Sequence, residues 1–324
     1  MKVGIMGAGH IAVSMAKAIN GLDGRVEAYA VASRDIKKAE RFAKKHGIAK
    51  AYGSYEEMLY DPQVDLVYIA TPHSHHFKHG MMCIEHGKPV LCEKSFTENA
   101  EQARELLNAA RNRKVFITEA IWTRYMPSRK MINDIIDSGV IGNPMSLNAN
   151  LGYSIMHKER LKNPALAGGA LLDVGVYPIN FASMVFGNDI CQIQSTCTKL
   201  DTGVDAQENI TFIYRDGRMA SLFATMQATT DRSGVIYGDK GYIHVQNINN
   251  CQRIRVVDNS HNIVQDLEVP GQINGYEYEV LACLDALENG KLECDEMPHS
   301  ETIRIMEIMD ELRAQWGVKF PDEI

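Results

Sequence analysis

Two short constellations in this 324-residue chain carry side chains suited to moving a proton. The first is KPVLCEKS, Lys88 to Ser95, in which the apolar run Val90 to Cys92 ends in an acid and a lysine. If that run is a buried parallel strand, Glu93 and Lys94 point into the crevice where open α/β sheets take their ligands. Otherwise they are the solvated start of the next loop. The second is GGALLDVGVY, Gly168 to Tyr177, where Asp173 and Tyr177 stand four residues apart. On one helix they share a face and can reach one substrate. The alternative is that Asp173 caps the helix and Tyr177 packs in the core with its hydroxyl satisfied. Pro178 falls either in the first turn of a helix that starts later or at a kink in one already under way.

A nucleotide site is the natural companion of such a pair. Strand-like Met1 to Met6 runs into Gly7-Ala8-Gly9-His10-Ile11-Ala12 and then into the amphipathic stretch Val13 to Ile19. In this G-x-G-x-x-A turn Gly7 takes the sharp bend, Gly9 lets a pyrophosphate approach the backbone, and Ala12 allows close packing of helix on strand. The second strand, Val26 to Ala32, ends in Ser33 and Arg34 rather than the acid that an NAD site uses for the ribose 2′-hydroxyl. A hydroxyl and a guanidinium suit the 2′-phosphate of NADP. Glu27 is acidic but sits too early in the strand, and Ser33 or Asp35 could instead cap the helix Ile36 to His46. His73, His75, His76 and His79 crowd one helix start at spacings that would permit a metal. No acid or cysteine there completes a site, and Thr71-Pro72-His73 at a strand end more simply lines a cofactor.

The elements that must position these residues alternate as a Rossmann half does. Ser54 opens a helix, Val64 to Ala70 reads as a continuously apolar strand, and a helix follows Pro72. Then come the strand to Cys92, a long helix Asn99 to Arg113 and the strand Val115 to Glu119. The fold class is therefore α/β, an N-terminal doubly wound parallel sheet of about six strands over residues 1–121. Residues 122–324 read as an α+β domain with a large, mostly antiparallel open sheet. Helices at Met126 to Ser138 and Leu171 to Phe186 flank a strand at Met145 to Leu151. Successive strands then fill Ile190 to Leu267, and helices at Tyr276 to Glu288 and Glu301 to Trp316 end the chain. Ile210, Phe212, Tyr214, Leu222 and Ala224 suggest more apolar side chains than the covered face of that sheet can take, which points to a homodimer.

Composition bounds the partners. With 45% hydrophobic and 23% charged residues and a net charge of −7 from 41 acids against 34 interspersed bases, nucleic acid and anionic membrane are poor partners. A small molecule fits better. No run of about 18 apolar residues is evident and no signal-like segment precedes the first strand. Seven scattered cysteines without a CxxC spacing suit reduced thiols, so the expected location is the cytoplasm.

GAGHIA, ATPHSHH (Ala70 to His76), LCEK (Leu91 to Lys94), EAIWTRY (Glu119 to Tyr125) and GGALLDVGVYP (Gly168 to Pro178) together resemble the Gfo/Idh/MocA oxidoreductases. Within them the likeness is greatest to the branch of dimeric dihydrodiol dehydrogenases and NADP-dependent D-xylose dehydrogenases. The sharp matches span residues 1 to about 190. Ser95 replaces the proline of the family's Glu-Lys-Pro, whose peptide bond is cis in relatives, and Tyr177 stands where many relatives carry histidine. The resemblance implies Tyr177 as acid/base with Lys94 as its helper, since an ammonium favours phenolate over phenol. It implies Asp173 and Tyr153 as substrate contacts. For NADP it implies Gly7, Gly9, His10, Ile11, Ser33, Arg34, Thr71, Pro72, His73, His76, Glu93 and Lys94, with Trp122 and Arg124 at the cofactor's border. The reaction expected is hydride exchange between nicotinamide and the carbinol carbon of a sugar or trans-dihydrodiol. Two rivals are an idle NADP-binding sensor and a sugar reductase or epimerising oxidoreductase that keeps its NADP bound.

Overall fold

The computed structural model describes residues 1–323. Within it the chain divides into two compact units, Met1–Tyr125 with Gln272–Met306, and Met126–Gly271 with the residues from Glu307 onward.

The first unit opens with β1 (Lys2–Met6), α1 (His10–Asn20), β2 (Glu27–Ala32), α2 (Ile36–His46), β3 (Lys50–Tyr52) and α3 (Tyr55–Leu59). It continues with β4 (Leu66–Ile69), α4 (His76–Glu85), β5 (Val90–Glu93), α5 (Ala100–Arg113) and β6 (Ile117–Ala120). The six strands are parallel in the order β3-β2-β1-β4-β5-β6. Every residue of β4 (LVYI) and β5 (VLCE) is buried, as strands covered by helices on both faces must be. Local chemistry sets the helix starts. Asp35 accepts from the Lys37 amide at 2.9 Å, Ser54 from Glu57 at 3.2 Å and Asn99 from Gln102 at 3.0 Å.

The second unit carries α6 (Pro127–Asp137), β7 (Pro144–Gly152), α7 (Glu159–Lys162), a π-turn at Leu171–Gly175 and α8 (Val176–Phe186). Seven strands follow: β8 (Ile190–Lys199), β9 (Asp205–Tyr214), β10 (Met219–Thr225), β11 (Gly234–Gly238), β12 (Gly241–Val245), β13 (Arg253–Asp258) and β14 (Ile263–Glu268). They join β7 in an eight-stranded sheet ordered β14-β13-β12-β11-β7-β10-β9-β8, antiparallel except between β7 and β10. The register pairs Leu222 with Ile210 and Ala220 with Phe212. One face of β9 and β10 is thereby apolar over Ile210, Phe212, Tyr214, Ala220, Leu222 and Ala224, with the buried acid Glu208 in phase with them. It packs on the π-turn and α8, where Phe186 meets Tyr214 edge-on at 5.3 Å. The surplus of apolar side chains expected from sequence does not exist. Ile210, Phe212, Tyr214, Leu222 and Ala224 are all buried, because the two strands alternate in phase. The opposite face instead presents Asn148, Asn150, Asn209, Thr211, Ser221, Phe223, Val235 and Tyr237.

The stretch Pro164–Phe186 is long and apolar enough to cross a membrane, contrary to the expectation that no such run exists. Its apolarity answers to the core, since 89% of an 18-residue window within it is buried.

α9 (Glu277–Glu288) and α10 (His299–Trp316) end the chain. A linear division at 121/122 has no counterpart for the return of Gln272–Met306 to the first unit. One tertiary hydrogen bond ties the returning segment to α1, the Asn274 amide side chain donating to the Ser14 carbonyl at 2.8 Å, and local bonds to Glu277 shape the segment itself. The Glu277 carboxylate accepts from the amides of Ile273, Asn274 and Gly275 at 2.6, 3.2 and 2.7 Å.

Candidate active site

In the first unit the G-x-G-x-x-A segment forms the turn from β1 to α1. Gly7 has φ +107°, and a Cβ there would press on the Ala70 carbonyl oxygen at 3.1 Å, so glycine is required by both conformation and space. Gly9 differs. It is the N-cap of α1 in an extended conformation, and a Cβ would meet nothing nearer than the same carbonyl at 3.9 Å. Packing does not demand glycine at that position, and its bareness leaves the approach to the amides of His10 and Ile11 open. No side chain caps α1, and no acid lies in its first turn. A helix N-terminus so arranged suits a phosphate.

At the end of β2, Ser33 is buried and its hydroxyl accepts from the Asp35 amide at 3.3 Å, while Asp35 itself caps α2. Both readings of this turn therefore coexist in one structure. Arg34 is exposed, with its guanidinium close enough to Tyr55, His75 and His79 to perturb all three.

The histidine cluster is tied into the strand-end loops. His76 is fully buried, with Nδ1 2.8 Å from the Ser95 carbonyl and Nε2 2.8 Å from that of Thr71. Both contacts favour imidazolium, but burial outweighs them and pushes its pKa down to about 4. The ring is thus neutral at pH 7 and donates to one carbonyl only. His79 Nδ1 lies 2.9 Å from Thr71 Oγ1, and burial brings its pKa to about 4 as well. His76 bridges the loops after β4 and β5. Pro72 leads into a short 3-10 turn, His73–His75, that begins with buried His73.

Glu93 ends β5, buried, and accepts a hydrogen bond from Tyr68 of β4. Burial and then the Glu93 charge drive the Tyr68 hydroxyl pKa well up. Lys94 follows, half-buried, in a Lys94–Ser95 peptide that is cis. Its charge helps depress the pKa of His76. Trp122 and Arg124 are both buried in the turn after β6. Trp122 stacks on Tyr276 with ring centroids 4.6 Å apart and an interplanar angle of 11°. Arg124 Nη2 donates to Glu301 Oε1 at 2.6 Å. Beneath them Glu119 is fully buried, and burial, only partly offset by Arg124, lifts its carboxyl to about 7.

In the second unit Asp173 and Tyr177 are both nearly enclosed, 7% and 8% exposed. Pro178 explains the local geometry. It brings no amide to bond Val174, and the ladder ahead of it widens to a π-turn in which the Val176 amide donates to the Leu171 carbonyl. Asp173 is therefore inside the helical stretch rather than capping it, and its Oδ1 accepts from Arg160 Nη2 at 2.8 Å. Tyr153 follows β7, its hydroxyl accepting from Asn249 Nδ2 at 2.9 Å with Arg232 over its ring at 5.4 Å. Arg160, Tyr276 and Glu301 were not legible as site neighbours, since each arrives from a distant segment with no motif around it.

Two profiles match the chain. One described as an oxidoreductase family with an NAD-binding Rossmann fold covers residues 1–120, and a GFO/IDH/MocA C-terminal domain covers 130–244. A human trans-1,2-dihydrobenzene-1,2-diol dehydrogenase is 36% identical, covering 91% of this chain and 90% of its own. A D-xylose 1-dehydrogenase (NADP(+)) from Hypocrea jecorina is 37% identical over 100% of this chain and 94% of its own. Among solved structures, a 3-ketoreductase from Actinomadura kijaniata with NADP and TDP-benzene superposes with a TM-score of 0.88 over 97% of each chain at 24% identity. Levoglucosan dehydrogenase with NADH and levoglucosan gives 0.87 over 99% of each at 17%. These last two likenesses speak to the fold.

Proposed function

The chain belongs to the Gfo/Idh/MocA oxidoreductase family, and from that premise we propose that it is an NADP-dependent dehydrogenase oxidising a carbinol of a sugar or trans-dihydrodiol. The observation that carries this reading is a pair of features on the first unit suited to phosphate groups. The α1 N-terminus has no protein acceptor in its first turn, and Ser33 and Arg34 end β2 without an acid to repel a 2′-phosphate. A guanidinium on that phosphate is worth about 1.5–3 kcal/mol. The relatives named as an NADP(+) D-xylose dehydrogenase and a dihydrodiol dehydrogenase favour the same cofactor and a CH–OH substrate.

Bound NADP supplies a hydride acceptor; the chain's own side chains manage the proton and the substrate. Tyr177 takes the hydroxyl proton in oxidation and returns it in reduction. A tyrosine ionises near pH 10, and Lys94 supplies the positive charge that makes its phenolate accessible near neutrality. Asp173, oriented by Arg160, accepts from a second substrate hydroxyl. Tyr153 can still donate through its own proton while accepting from Asn249. We further propose that the enzyme works as a homodimer through the open sheet face. The reading also extends to the cytoplasm, which all seven cysteines remaining free supports.

The test is absorbance of the reduced nicotinamide with NADP and a panel of pentoses, hexoses and aromatic trans-diols. Turnover of at least one class is expected. Tight NADP binding with no turnover of any would replace the dehydrogenase by an idle sensor.

A further inference from the structure

The segment that carries Asp173 and Tyr177 is seated on two acids of β9 that the mechanism above does not use. Asp205 is 1% exposed, and its Oδ2 accepts from the Leu171 amide at 2.5 Å. It also accepts from the Ala170 amide. No residue of the segment itself caps this helical start, so an acid from 34 positions along the chain does so. Gly169 has φ +117°, and a Cβ there would run into the same carboxylate. Glu208 is also 1% exposed, and neither carboxyl oxygen has a hydrogen-bond partner. A Cβ at Gly175, the last residue of the π-turn, would collide with its Oε1.

Gly175 has ordinary helical angles, φ −64° and ψ −30°, so conformation does not call for glycine there. Alanine in its place would favour a helix interior by about 1 kcal/mol. Space is the remaining reason, and Glu208 fills that space. A buried, unpartnered acid is costly to keep. Where one persists, a functional demand is the usual cause.

We propose that Asp205 and Glu208 are positioning residues that set the π-turn and thereby aim the Tyr177 hydroxyl, Asp205 by capping the segment's start and Glu208 as a wedge beneath Gly175. The inference rests on Tyr177 being the acid/base. Burial, and then the neighbouring Asp205, push the Glu208 carboxyl well above its ordinary value and so favour the neutral form in the wedge. Asp205 on its own strand and Cys197 of β8 are the titratable groups that face it. Asp205 is raised less completely, because the backbone amides of Leu171 and Ala170 and the charge of Arg313 oppose its burial.

The experiment is a cycle read as kcat, KM for NADP and the pH profile of kcat, with circular dichroism to establish folding. Gly175→Ala is expected to lower kcat at least tenfold with KM for NADP unchanged, and to move the pH limb that belongs to Tyr177. Glu208→Ala should do likewise by leaving the turn unsupported. Gly175→Ala with Glu208→Ala should recover most of the rate and the limb, because the added methyl occupies the vacated volume. Glu208→Gln, neutral and of the same shape, should resemble the parent; loss of rate in it would overturn the neutral wedge even if the alanine variant fails to fold. A double variant no better than the product of the singles, or a fully active Glu208→Ala, would overturn the inference. Tyr177→Phe separates the two levels. If it is inactive while Gly175 and Glu208 prove silent, only the positioning role falls. If it keeps both rate and limb, the acid/base assignment falls and the inference with it.

Discussion

A phenol and an ammonium acting on one proton should fail together rather than separately. Lys94→Met and Tyr177→Phe are each expected to cut kcat a hundredfold or more, the usual size of a general acid/base contribution, with NADP affinity nearly intact. If the lysine acts through the tyrosine, as proposed, the double variant should cost much less than the product of the singles. Additive losses would separate the two roles. Arg34→Ala should weaken NADP binding by one to two decades, about the loss of one charge-assisted contact, and leave NAD binding almost unchanged. Equal losses for both cofactors in a titration would remove Arg34 from the 2′-phosphate. These residues could be singled out as candidates because each sits at a motif with a fixed place in the fold. Glu208 was less so, though it left a trace: in DAQENITFIY it falls in phase with Ile210, Phe212 and Tyr214, an acid on the buried side of an alternating strand.

Among the elements, the β1–α1 turn separates two glycines with different reasons for being glycine. Gly9→Ala has room and an extended backbone, so its melting temperature should match the parent while NADP affinity falls more than tenfold. Gly7→Ala must hold a side chain at φ +107° against the Ala70 carbonyl, and should lose at least 1 kcal/mol of stability, a change of about that size being typical of forced positive φ. A Gly9→Ala protein that binds NADP normally would return the turn to a purely structural role. The parallel strands and the helix start at Ser54 could be read in advance, as could Asp35 as one of two candidate caps, because their causes are local: apolar runs, and a side-chain oxygen next to an amide. The π-turn could not, although Pro178 announced some irregularity; whether a proline kinks a helix or widens the turn before it depends on what packs beneath. The return of Gln272–Met306 to the first unit was equally hidden, since Asn274 reaches Ser14 through a contact with no sequence period.

Across the whole molecule, charge and its absence have measurable consequences. Glu119 is raised from 4.5 to about 7, so its contribution to stability is fully present below pH 4.5 and is lost as pH rises through 7. Replacing it by Gln removes that dependence. The variant should equal the parent near pH 4.5 and exceed it above pH 7 by about 3 kcal/mol, from about 2.5 pKa units at 1.36 kcal/mol each. His76 and His79, lowered from 6.5 to about 4, act in the opposite sense over pH 4 to 6.5, and the difference between parent and variant cancels them. Parallel stability curves across that range would place the Glu119 carboxyl at its ordinary value. The open sheet face is the other case. In a chain with 23% charged residues and net charge −7, its Asn148, Asn150, Asn209, Thr211, Ser221, Phe223, Val235 and Tyr237 carry no charge at all. A two-fold axis brings the residues beside it near their own copies, so a charge at the axis would meet its like. The central patch of that face is uncharged and carries aromatic anchors, with the charges Arg253, Arg255, Asp266 and Glu268 confined to β13 and β14 at its edge. Phe223 and Tyr237 are the side chains whose burial would contribute most. Light scattering behind a sizing column should give the mass of two chains at micromolar concentration. Phe223→Glu with Tyr237→Glu should give one chain with unchanged circular dichroism, because like charges would then face each other across the axis and neither side chain supports the core. A parent that elutes as one chain while fully active would leave this face to water and the enzyme a monomer.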